Sequence, residues 1–239
     1  MIEYKNTQIV KMALLLAFAI PLSACFHDDD DDMMPSMATY EVTVFNATNN
    51  QPLTPVAVIA HQQNFNAWQT GSAATTGLEM LAESGDPSQL LADADMDTNV
   101  TATAASSSGP FGPGSAQTVM IETMADSNLQ LSIATMLANT NDAFTGVTHV
   151  TVGDMAMGES LSMMAKVYDA GTEANSESAA TIPGPAGNGE GFNATRDDTD
   201  FVSIHAGVIT FDDGLMTSAL NEDHRWLGPA AKISITRVQ

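Results

Sequence analysis

Short segments rich in β-branched and aromatic residues, with turn chemistry between them, recur from residue 40 to residue 238, and this recurrence limits the fold more than any other feature. Residues 40–46 read Tyr-Glu-Val-Thr-Val-Phe-Asn, and Asn49, Asn50, Gln51 and Pro52 supply a turn. Residues 56–61, Val-Ala-Val-Ile-Ala-His, read as a second, largely buried strand. Further strands are expected over 100–104, 117–124, 129–137, 147–152, 161–168, 201–204 and 232–238. Helical spacing intervenes in one place: Leu78, Leu81 and Ala82 recur with period 3.6, and Asp86-Pro87-Ser88 opens a second short turn of helix through 89–92. Without βαβ alternation the pattern predicts an all-β, antiparallel sandwich with one or two short helical insertions. Residues 174–199 are rich in Gly, Asn, Ser and Asp, and a connection of that length is usually functional or mobile.

The N-terminus has a different texture. Lys5 and Lys11 precede the apolar run 12–22, which is shorter than the roughly 20 residues a bilayer-spanning helix needs. It ends in Leu22-Ser23-Ala24-Cys25, which resembles a bacterial lipoprotein box, so 1–24 is expected to be a signal peptide and Cys25 the lipidated residue. Cys25 is also the single cysteine, which leaves no internal disulfide or cysteine-based metal centre. His27 and Asp28 to Asp32 follow. Like charges repel and stay solvated, so 25–38 is expected to be an acidic tether and 39–239 one folded domain. Phe26, rather than Asp, after the lipidated cysteine favours the outer membrane or cell surface as location.

The chain carries 29 Asp and Glu against 7 Lys and Arg, a formal charge of −22. A nucleic-acid surface needs cations to displace counterions, and an anionic bilayer attracts basic clusters, so both are excluded as partners, apart from membrane contact through the anchor. Nucleophile elbows, P-loops, zincin helices and dinucleotide fingerprints are missing. Glu79 and Glu83 lie one helical turn apart and read as a solvated helix face rather than an acid–base pair. The five histidines fall at no ligand spacing, and methionines such as Met155, Met157, Met163 and Met164 read as gap-fillers rather than copper ligands.

Two acidic segments each follow an apolar strand: Thr140-Asn141-Asp142-Ala143-Phe144-Thr145-Gly146 and Tyr168-Asp169-Ala170-Gly171-Thr172-Glu173-Ala174-Asn175. Both put carboxylates in strand-end loops, and Gly171 allows a sharp bend between Asp169 and Glu173. Asp142, Asp169 and Glu173 are therefore candidate ligands for calcium, a hard cation that takes several oxygens at about 2.3 to 2.6 Å.

These segments, with Ile182-Pro183 and the terminal Pro229-Ala230-Ala231-Lys232-Ile233-Ser234-Ile235-Thr236-Arg237, resemble the spondin N-terminal domain of F-spondin, mindin and bacterial secreted proteins. Asp-Ala-Gly-Thr followed by an acid is the most specific element, and the resemblance covers about residues 39 to 238. It implies a C2-like β-sandwich, a calcium site and a role in adhesion. In the animal members the ligands are the acids that match Asp142, Asp169 and Glu173. Three features depart from that pattern: Glu173 is one methylene longer than the usual Asp, Ala143 stands in place of Trp, and the animal disulfides and trailing repeats are absent.

The expectation is thus an envelope-anchored, calcium-binding module, without catalytic residues, that recognises an extracellular or envelope protein or glycan. The alternative is a metal-dependent hydrolase acting on an envelope substrate.

Overall fold

The computed structural model describes Met1 and residues 36–239. The expected signal peptide, Cys25 and nearly all of the tether lie outside the described residues. The strands are β1 (Met37–Asn46), β2 (Ala57–His61), β3 (Val100–Ala105), β4 (Ala116–Met124), β5 (Gln130–Met136), β6 (Ala143–Thr151), β7 (Ser160–Asp169), β8 (Ser203–Ile204) and β9 (Ala231–Arg237). Two helices, α1 (Thr76–Ser84) and α2 (Ser88–Asp95), fall between β2 and β3. β1 begins two residues inside the segment assigned to the tether, because the Met37 and Ala38 backbone already pairs with Met124 and Thr123. Among the described residues no helix is long and apolar enough to cross a membrane.

Every strand pairing is antiparallel, in the order β3-β2-β5-β6-β7-β9-β1-β4, with β8 added beside β7. β7 turns this path into two layers. Its first part, Ser160 to Ala165, pairs with β9, and its last part, Lys166 to Asp169, pairs with β6. The two path ends also meet, since the Thr123 hydroxyl of β4 donates to Thr101 of β3 at 2.7 Å. The result is an all-β sandwich that is nearly closed on itself.

Burial follows from this layering. β1 and β4 alternate strictly, sending Tyr40, Val42, Val44, Val119 and Ile121 inward to meet Leu131, Ile133, Ile233 and Ile235. β2 and β5 are buried along their whole length because they are covered twice. Val58 and Ala60 face the inter-sheet core, while Ala57, Ile59 and Ala134 pack with Leu78, Leu81 and Leu90 of the helices. Thr75 caps α1 by accepting the Leu78 N–H, and Gly85 ends it at φ +72°.

Two expectations change. Strand β6 starts at Ala143, four residues before the expected 147, because Phe144 and Gly146 already pair with Met136 and Ala134. Glu79 and Glu83 are not a solvated face. Both are buried. Arg196 reaches Glu79 with Nε at 3.1 Å and Nη2 at 2.6 Å, and the Asn193 N–H donates to Glu83 at 2.8 Å. The long segment 174–199 therefore folds back over α1, which helical periodicity had no means of revealing.

Candidate cation site

The site grows out of the β6–β7 pairing. Ala143 stands opposite Asp169 and Phe144 opposite Tyr168, so the residue before β6, Asp142, is carried to the last residue of β7. One step behind the two acids, Phe144 stacks on Tyr168 at 5.3 Å, and Trp68 meets both edge-on at 5.2 and 5.5 Å. These apolar rings fix the strand ends and exclude water from one side of the carboxylates.

Asp142 is fully buried. Its Oδ2 accepts the N–H groups of Thr172 and Glu173 at 2.9 and 3.1 Å, so it holds the turn that follows β7. Asp169 Oδ1 accepts the Gly171 N–H at 2.8 Å, and Oδ2 accepts Asn175 Nδ2 at 2.7 Å. Gly171 has φ +72°, and a Cβ there would strike the Phe201 carbonyl, so the bend foreseen at this glycine is a requirement of both conformation and space.

The electrostatics are unfavourable to charge. Burial, then the charge of Asp169, pushes Asp142 up to about 7 despite its backbone donors. Burial, then Glu83, Asp142, Glu190 and Asp197, pushes Glu173 up to about 8. The structure thus brings Asp142 and Asp169 together. Glu173 lines a cavity of about 290 Å³ with Glu190, Asn193 and Asp197, and its carboxyl also lies in the field of Asp142. Among the described residues, no three His, Cys, Asp or Glu side chains stand close enough to form a ready metal shell.

Several polar atoms nevertheless point to an absent partner. Asn141 Oδ1, Glu173 Oε2, Glu177 Oε2 and His205 Nε2 are buried without a hydrogen bond. Three are oxygens, the donors a hard cation takes, and buried polar groups left unpaired cost free energy. Oxygens of this kind are what a calcium site would use, while among the described residues the candidate acids come together only as the Asp142–Asp169 pair. His205 is different. Its Nδ1 accepts the Gly207 N–H at 3.0 Å, so Nε2 carries the proton, and it lies 3.9 Å from Asp169 Oδ2. Burial lowers its pKa, so the ring is neutral, and Nε2 faces Asp169 beyond hydrogen-bond distance.

Asn141, Asn175 and Glu177 were not among the candidate site residues, and His205, counted with histidines at no ligand spacing, lies beside Asp169 although far from it in sequence. Asn141 and Asn175 lay inside the acidic segments and were legible as oxygen or amide partners. Glu177 stands four residues after Glu173 with no strand pattern to place it, and His205 is brought in by β8, whose Ser203 pairs with Asp169.

Fold and site together define an all-β module with a buried acidic cluster where two central strands end. The Spondin_N family model matches residues 44–185, and the chain belongs to the spondin N-terminal domain family. The match takes in Asp142, Asp169, Glu173 and Glu177 and stops before His205. No curated protein matches the chain.

Proposed function

We propose that this protein is an envelope-anchored recognition module whose binding surface is organised by a calcium ion. The family points to extracellular recognition or adhesion in general terms. The finer reading is supported by one observation above the others: Asp142 and Asp169 are buried side by side, with unbonded Asn141 and Glu177 oxygens in the segments flanking them. Asp142, Asp169 and Glu173 would hold the ion, and its charge would neutralise carboxylates that otherwise repel. Cys25 would carry the lipid.

Hydrolysis would call for a general base beside the ion. Among the histidines, His205 faces Asp169, and its Nδ1 is already engaged by the Gly207 N–H, which favours binding over catalysis.

The test is capture from envelope extract on the full chain, with calcium and with chelator. A specific protein or glycan should be retained only with calcium, and Asp169→Asn should lose it. Retention unaffected by chelator would remove calcium from the reading. In the same cells Cys25→Ala should move the protein out of the membrane fraction, and unchanged membrane association would remove the anchor.

A further inference from the structure

Strand β7 is handed from one partner to another along a single edge. The carbonyls of Ala165 and Val167, two residues apart and therefore on the same edge, accept the N–H groups of Ala230 and His205 at 3.2 and 3.1 Å. Ala230 leads into β9 and His205 leads out of β8. One segment must leave where the other arrives, so 204–206 and 226–229 diverge. They open a cleft of about 460 Å³ over Lys166 and Val167. Apart from Lys166 and Val167, its lining lies outside the residues that the family model matches.

The charge of the cleft is opposite to that of the chain. Trp226 lines it, with its ring 5.1 Å from that of His205, and Val167, Ile204 and Leu227 add apolar surface. Its one charged side chain is Lys166, which is exposed and makes no ion pair among the described residues. Arg196 and Arg225, by contrast, are held by carboxylates of the chain itself. No acid lines the cleft, whereas the cavity beside Glu173 carries Glu190 and Asp197, and the one beside α2 carries Asp93 and Asp97. A hollow free of acids around an unpaired lysine, in a chain of charge −22, is matched to an anion from outside.

We propose that this cleft binds a small amphipathic carboxylate, with its acid group on Lys166 and an aryl or alkyl body against Trp226, Ile204 and Leu227. The volume falls within the roughly 300 to 1,000 Å³ of small-ligand sites, whose walls are mostly apolar with a few placed polar groups. An inorganic anion would gain little from one exposed lysine and would leave the apolar walls in water. A neutral apolar ligand would leave Lys166 without a partner, and a cation would be repelled by it. The site goes beyond the calcium reading and does not depend on it, since Asp142, Asp169 and Glu173 are absent from the lining.

The experiment titrates the full chain with phenylbutyrate and, separately, with the neutral phenylbutanol, in chelator so that calcium plays no part. Amide and indole N–H resonances report the place of binding. Phenylbutyrate should shift the Trp226 indole signal and the amides of 204–206 and 226–228, and should bind about 10-fold or more tighter than the alcohol. Lys166→Met should bring the two affinities together with the melting temperature unchanged, because this side chain is exposed. Shifts confined to other residues, or equal affinity for acid and alcohol in the parent, would overturn the proposal. So would a preference for the acid that survives Lys166→Met. The contrast in the parent decides by itself if the variant does not fold, and none of these results bears on the calcium site.

Discussion

At the scale of single residues, two carboxyls set the pH behaviour. Burial, and then neighbouring carboxylates, pushes the Asp142 and Glu173 carboxyls up to about 7 and about 8, well above the ordinary carboxylate range. A folded state with raised carboxyl pKa values binds protons more tightly than the unfolded chain, so it loses stability as pH rises from about 4 towards 8. Calcium needs both groups ionised and competes with those protons. Apparent calcium affinity should therefore fall by about 10-fold or more between pH 8.5 and pH 6, since at pH 6 at least one proton must be displaced. Calorimetry at the two values measures it, and pH-independent affinity would mean that these carboxyls do not meet the ion. Single residues were also where the sequence was most legible. Gly171 marked a forced bend, and Asp142 and Asp169 met as expected. The neighbours of Glu173 were not legible, because Glu190 and Asp197 arrive from a segment without periodicity.

At the scale of elements, the alternation of β1 and β4 and the continuous apolar run of β2 could be read directly, because period 2 reports a half-covered strand and its loss reports a strand covered twice. Switching of β7 between layers could not, since pairing partners leave no local trace. Docking of 174–199 on α1 was equally hidden, and it rests on Arg196, which bonds Glu79, the Ala74 carbonyl and Asp200. Arg196→Met strands a buried Glu79 carboxylate and should cost about 3 kcal/mol in urea unfolding, while adding Glu79→Leu should recover most of that loss. An undiminished loss in the double variant would show that Arg196 acts through its other bonds.

At the scale of the whole molecule, a chain of charge −22 gathers buried acids where β6 meets β7, next to an apolar clamp of Phe144, Tyr168 and Trp68. On the proposed reading a divalent cation would remove the repulsion and give the buried oxygens a partner. The most direct measurement is a thermal melt of the full chain in chelator, in magnesium and in calcium. At calcium 100 times its dissociation constant the gain is about 2.7 kcal/mol, and for a chain of this size that raises Tm by about 5 to 10 °C. Magnesium should do markedly less, since it keeps its waters and demands octahedral geometry, and Asp169→Asn should melt at nearly the same temperature in all three. A parent protein whose melting point is the same in chelator and in calcium would contradict the account.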